Sequence, residues 1–251
     1  MTRRFVALAA LALCLPSLAF AQKRKAPVKN VDHGEIYVNG AYQGSSGDVS
    51  STVSFTANLE TGSFTSKFRV MPGAAFDAGG RVRVWKRLGV GAAVTSFSAN
   101  GTTDITGQVP HPFFFRTPRS ITGEASIERK ETAFHLRAVV SSPPGRRLQF
   151  SGFAGPVFFS VSQTLVDKAN YSDAYPFDTA TFTSATTRRV SKSKTGFGAG
   201  ADVAYYFMKN LGVGFSASFA SGSFDLRAVD DSPVAIKAGG GLAGLGLRIR
   251  F

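Results

Sequence analysis

The chain has almost no cysteine: Cys14 is the only one in 251 residues. It lies in the apolar core of what reads as an export leader, behind Leu13 rather than the small residue that a lipid-attachment site needs. Once the leader is removed no thiol is left, which excludes disulfides, thiolate catalysis, cysteine-ligated zinc and iron–sulfur clusters. Histidine is nearly as scarce, with His33, His111 and His135 the only three. Acids are few beside bases, 16 against 29, for a net charge of +13. Long apolar runs are also missing. No stretch of about 18 apolar residues follows position 22, so no transmembrane helix is expected.

What is present begins with the leader. Arg3 and Arg4 supply a short positive start, and Phe5 through Leu15 an apolar core too short to span a bilayer. Ala19-Phe20-Ala21 places small residues where a signal peptidase reads them, so residues 1–21 are expected to be cleaved before Gln22. Loss of the two arginines leaves a charge of about +11 on about 230 residues, enough for one substantial domain. A basic exported chain meets anionic lipid head groups or lipopolysaccharide rather than nucleic acid. Residues 22–34 hold Lys23, Arg24, Lys25 and Lys29 without apolar periodicity, and read as a flexible basic tail.

From Gly34 onward apolar residues recur at every second position. Leu245, Leu247, Ile249 and Phe251 alternate with Gly244, Gly246, Arg248 and Arg250. Phe76, Ala78, Val82 and Val84 alternate with Asp77, Gly79, Arg81 and Arg83, and Phe134, Leu136 and Val140 stand opposite His135 and Arg137. Period two is the signature of a strand with two chemically different faces. One face is aliphatic and aromatic; the other combines arginine, aspartate and many glycines. A soluble sandwich would turn the apolar face inward. Charged residues and glycine suit a narrow lumen, and aromatics near strand ends suit a membrane interface. Without helices, only a closed barrel satisfies every backbone polar group in hydrocarbon.

Tight turns are predicted at Trp85–Leu88, Ser142–Arg146 and Phe207–Leu211, with longer polar connections near 44–62, 99–118, 167–194 and 222–233. Short turns on one side and long loops on the other are the asymmetry of outer-membrane barrels. The expected fold is an all-β, closed, antiparallel up-and-down transmembrane barrel of eight strands over 35–251. The strands are placed at 35–44, 64–85, 88–98, 119–141, 147–166, 195–207, 211–226 and 234–251. Several exceed the 9 to 11 residues that cross a bilayer, and the excess would leave Glu128, Arg129, Lys130 and Glu131 wetted outside. A ten-stranded count is the alternative, with extra turns at Arg129–Glu131 and Gly155-Pro156.

The segment from Gly239 to Phe251 resembles the C-terminal assembly signal of outer-membrane barrels, a terminal aromatic preceded by apolar residues at alternate positions. Leu245, Leu247, Ile249 and Phe251 fill that pattern, which implies recognition by the barrel-assembly machinery. The mature chain as a whole resembles the small barrels of the OmpA transmembrane domain, the OmpW family and the opacity-type surface proteins. The resemblance implies outer-membrane localisation. No cell-wall-binding domain of the kind that follows the OmpA barrel is expected here.

Chemistry beyond the barrel is thinly written. Barrel enzymes of this size would offer a His and Ser pair on one strand, or Asp and His pairs at the outer rim, and neither is recognisable. His135 reads as a lumen side chain rather than a general base. No acid–histidine spacing suggests a metal site, no glycine-rich turn leads into a helix, and no cofactor is implied. Asp77, Arg81, Arg83, His135, Arg137, Asp202, Arg248 and Arg250 are expected to form a charged network filling the lumen. The alternative for the same residues is an anion-favouring constriction. Phe113, Phe114 and Phe115 are read first as an aromatic collar in the outer leaflet, otherwise as a gate or an adhesive surface. The leading expectation is a monomeric, non-catalytic envelope protein with a structural or surface-interaction role. Its partners would be outer-membrane lipid, lipopolysaccharide and an extracellular ligand of unknown kind. A small channel for hydrophobic or anionic solutes and a lipid-modifying enzyme are the other readings.

Overall fold

The computed structural model describes residues 33–44, 47–227 and 233–251. The leader at 1–21 and the basic segment at 22–32 lie outside the described residues. Ten strands follow in order: β1 (Gly34–Gln43), β2 (Asp48–Ala57), β3 (Glu60–Arg69), β4 (Gly73–Trp85), β5 (Leu88–Val109), β6 (Arg119–Ser141), β7 (Leu148–Asp173), β8 (Ala180–Tyr206), β9 (Leu211–Arg227) and β10 (Pro233–Arg250). Eight close into a ring. Its order is β1-β4-β5-β6-β7-β8-β9-β10, all antiparallel, with β10 paired back to β1 from Glu35↔Arg250 to Gln43↔Leu242. The remaining two, β2 and β3, form a hairpin inserted between β1 and β4.

The eight-stranded ring is as expected, while its wall differs in detail. The strand placed at 64–85 is two strands. Val70-Met71-Pro72 interrupts it, because proline at 72 has no N–H for the ladder. Only β4 joins the ring; β3 pairs further along β5, from Ser63↔Gln108 to Lys67↔Asp104. Of the tail placed at 22–34, the last two residues belong to the ring: His33 N donates to Phe251 O at 2.8 Å, and Gly34 starts β1. The two extra turns of the ten-stranded alternative are absent: β6 runs through Arg129–Glu131, and Gly155-Pro156 lies inside β7. The β6–β7 ladder lapses opposite Pro156 yet resumes in the same register, from His135↔Val157 to Ala138↔Ala154. A missing proline N–H breaks single bonds without forcing a turn.

The three tight turns stand where the spacing put them. The connections expected at 99–118 and 167–194 are mostly strand, because β5 and β6 pair out to Val109↔Arg119 and β7 and β8 out to Asp173↔Ala180. The ring therefore rises into a long outer extension. Its faces exchange chemistry part way up. On β5, outward Leu88, Val90 and Val94 give way to outward Ser96, Ser98, Asn100 and Thr102. Inward Gly89, Gly91 and Thr95 give way to buried Phe97, Ile105 and Val109. The change falls along one line: Ser96 pairs with Thr132, Thr132 with Ser160, and exposed Phe197 with Ser221. Below the line the solvent outside is hydrocarbon, and the apolar face points out. Above it the solvent is water, and apolar burial turns inward. The outer half thus holds its own core, including Phe64, Phe68, Phe97, Ile105, Phe159, Val161, Leu165 and Ile236.

Candidate functional site: the barrel interior

The interior below that line is a charged layer. Period two on β1 sends Ile36, Val38 and Tyr42 outward, so Glu35, Tyr37 and Asn39 must face in. Asp77 and Arg81 arrive from β4, Arg137 from β6, Asp202 from β8 and Arg248 from β10. Arg248 donates from Nη2 to Asp202 Oδ2 at 2.6 Å and from Nη1 to Asn39 Oδ1 at 2.5 Å. Arg81 donates to Glu35 Oε2 at 2.6 Å and lies 3.5 Å from Asp202. Asn39 Nδ2 donates to Asp77 Oδ2 at 2.9 Å and to Ser216 Oγ at 3.2 Å. Arg137 donates to the Tyr37 hydroxyl at 2.5 Å, stands 3.9 Å from Asp77, and covers the Phe153 ring. Tyr206 donates its hydroxyl to Glu35.

Three acids meet three arginines in this layer: Glu35, Asp77 and Asp202 with Arg81, Arg137 and Arg248. The charges cancel, as burial requires, because an unpaired ion in a dry interior costs several kcal/mol. Little space is left between them. A cavity of about 20 Å³ lies among Tyr37, Arg81, Arg137 and Asp202. Another of about 30 Å³ opens at the mouth beside His33, Glu35, Arg81 and Gln149. Each has room for about one water, whose share of liquid volume is about 30 Å³.

The structure brings together five of the eight residues expected in the lumen network: Asp77, Arg81, Arg137, Asp202 and Arg248. Two are displaced to the rim, and His135 lies in the lumen without joining the ion pairs. Arg83 donates to the carbonyls of Lys86 at 3.1 Å and Ser142 at 3.4 Å. Arg250 donates to those of Lys209 at 2.7 Å and Arg146 at 3.0 Å. Both sit at the rim because they are the last inward positions before the turns, where chain reversal leaves carbonyls unpaired. His135 faces inward and bonds through Nε2 to Thr95 Oγ1 at 3.1 Å. The reading missed Glu35, Tyr37, Asn39, Ser216 and Tyr206. For the β1 residues the signal was available, since they alternate with apolar Ile36, Val38 and Tyr42.

A second closure lies above the line, again unforeseen. Arg129 and Glu131, expected to be wetted, are buried, and only Glu128 and Lys130 face water. Arg129 Nη2 donates to Glu131 Oε2 at 3.0 Å and to the Lys237 carbonyl at 2.6 Å, and Gly239 N donates to Glu131 Oε1 at 2.7 Å. This clasp joins β6 to β10 through the interior. Gly239 reaches it with φ at +89°, where a Cβ would stand 2.2 Å from the Ala220 carbonyl oxygen. The segment at 110–115 is also displaced from its expected place. It caps the β5–β6 hairpin, far above the membrane line, and so forms no collar in the outer leaflet. His111 is buried there and accepts from the Phe113 and Phe114 amides at Nδ1, both at 3.1 Å. Among the described residues no group of three or more His, Cys, Asp or Glu is placed to hold a metal ion.

No family model matches the chain, and no curated protein matches it. Solved structures similar to it are small outer-membrane barrels. Neisserial surface protein A shares 12% identity at a TM-score of 0.40, over 87% of this chain and 97% of that one. OprG from Pseudomonas aeruginosa shares 7% at 0.46, over 90% and 99%. The outer membrane protease OmpT from Escherichia coli shares 11% at 0.43, over 90% and 99%.

Proposed function

We propose that the chain is an outer-membrane barrel with a shut lumen, acting in surface interaction rather than in solute passage or catalysis. The observation that carries this reading is the double closure: a charge-balanced plug within the membrane band, and a clasped apolar core above it. Among the plug residues the cavities hold about 20 and 30 Å³, too little for a hydrated ion. A neutral plug has no surplus arginine to select anions. What the fold does offer the outside is a rigid extension. From Ser96 to Val109, β5 covers roughly 40 Å of strand at about 3.3 Å per residue. At the usual tilt of 35–45° its tip stands about 30 Å above the membrane line.

Outer-membrane lipid and lipopolysaccharide would surround the band formed by residues such as Leu136, Phe150, Phe215 and Leu247. A ring without a free strand edge across the membrane supports a monomer. Leu245, Leu247, Ile249 and Phe251 all lie on the exposed face of the strand that closes against β1. That placement supports their reading as the signal for the assembly machinery. The two buried histidines each hold a local hydrogen bond, which suits structural roles. Planar bilayer recording with the purified barrel tests the proposal, with heat-modifiable gel migration reporting folding. The expected result is an unbroken baseline with folded protein inserted. Steady unitary conductance that changes with Arg81→Gln would refute the shut lumen.

A further inference from the structure

The outer end of the extension carries a second apolar surface. Three hairpin tips meet there. Asn58, at the β2–β3 turn, donates to the Pro110 carbonyl at 3.4 Å, and Arg116 N donates to Glu60 Oε1 at 2.8 Å. Buried Arg119 is the common tie. It donates to the Pro110 carbonyl at 3.0 Å and the Phe177 carbonyl at 3.1 Å, and pairs with Asp173 at 2.9 Å. Phe113 meets Phe177 edge-on at 5.4 Å. Around these ties Leu59 is 90% exposed, Tyr175 87%, and Phe113, Phe114 and Phe115 between 61% and 69%. Four bulky or polar residues here, Asn58, Leu59, Arg116 and Phe177, hold left-handed φ of 51° to 72°, a conformation that costs non-glycine residues free energy. The folded tips maintain that strain while leaving their largest apolar groups in water.

The same chain shows what such exposure serves elsewhere. Among the described residues, the other exposed large apolar side chains lie in or beside the membrane band, apart from Met71 at the β3–β4 break. Between band and tip the outward face is serine, threonine and charge. The tip therefore repeats, at a second level, the chemistry that the band gives to lipid. Its charges nearly cancel: Arg119 is paired with Asp173, and the tips also carry Arg116 against Glu60 and Asp178. This neutrality on a chain of net charge +13 does not fit an anionic glycan. Leu59, Tyr175 and the three phenylalanines project outward as loop apices, which suits a deformable partner.

We propose that this crown inserts into the head-group and acyl boundary of an apposed, zwitterionic lipid bilayer. Phenylalanine, tyrosine and leucine take the interfacial positions, with Arg116 reaching the phosphate level. The proposal rests on the surface-interaction reading and names the partner's chemistry. It is tested with the full chain held in nanodiscs and mixed with separate phosphatidylcholine vesicles carrying brominated acyl chains. Phe114→Trp in a Trp85→Phe background places the only indole at the crown. Vesicle addition should shift its emission to the blue and quench it. In the same background, Leu59→Ser, Phe113→Ser and Phe115→Ser combined should weaken vesicle association at least about tenfold, with heat-modifiable migration unchanged. No quenching, equal binding by the combined variant, or binding only to phosphatidylglycerol vesicles would overturn the lipid assignment. If cells displaying the chain still adhere to a protein-coated surface, the surface-interaction reading survives that failure; if they adhere to nothing, both fall.

Discussion

Replacing Asp202 by alanine removes the carboxylate that receives Arg248 at 2.6 Å and faces Arg81 at 3.5 Å. Arg248 is wholly buried, so its charge has no water to turn to. Breaking one partner of a buried pair costs about 3–5 kcal/mol, against about 0–1 kcal/mol for an exposed pair. Arg248 keeps Asn39 at 2.5 Å and Glu35 at 3.9 Å, which places the expected loss near the lower end, about 3 kcal/mol. Combining Asp202→Ala with Arg248→Met removes both charges and should restore most of that loss. Asp48→Ala, at a pair whose side chains are 74% and 65% exposed, is the reference and should cost less than about 1 kcal/mol. Urea unfolding in lipid vesicles, read by heat-modifiable migration, gives all three numbers. If Asp202→Ala costs no more than Asp48→Ala, or the double variant is no better than the single, the interior is wet and the plug argument fails.

Three further outcomes are expected. Gly239→Ala should destabilise the barrel by about 2–3 kcal/mol in the same urea assay, since φ is +89° and the added Cβ would crowd the Ala220 carbonyl; an unchanged midpoint would remove the clasp. Phe215→Arg, in the membrane band, should cost about 2–4 kcal/mol, while Ser223→Arg on the same face of β9 above the line should be near neutral; equal costs would show that the line is misplaced. Lys130, with Arg189, holds the Glu128 carboxyl below the usual carboxylate range. Because that value is lowered, the contact's contribution is present at neutral pH and fades as pH falls through it. Carboxyl NMR should show the Glu128 midpoint rising in Lys130→Ala, and no rise would refute the pairing.

Residue order alone settled the features that depend on neighbours along the chain. Alternation at Leu245, Leu247 and Ile249, or at Phe134, Leu136 and Val140, states which face meets lipid, because a strand separates its two faces residue by residue. The tight turns at Trp85–Leu88 and Phe207–Leu211 were legible for the same local reason, as were the inward positions of Asp77, Arg81, Arg137, Asp202 and Arg248. Tertiary structure alone decided which of these inward groups touch. Glu35, Arg81, Asp202 and Arg248 come from four strands, and only the closed register sets them within reach of one another. It also decided that 99–118 and 167–194 are mostly strand. Their threonines suit a strand, but their polar composition shows no sustained apolar alternation to mark one, and each half gains its ladder from a partner strand. The exchange of faces above Ser96 has the same origin. A residue such as Ile105 or Arg129 is buried because the wall rises out of hydrocarbon into water and closes over itself, and where that crossing falls is a property of the assembled ring.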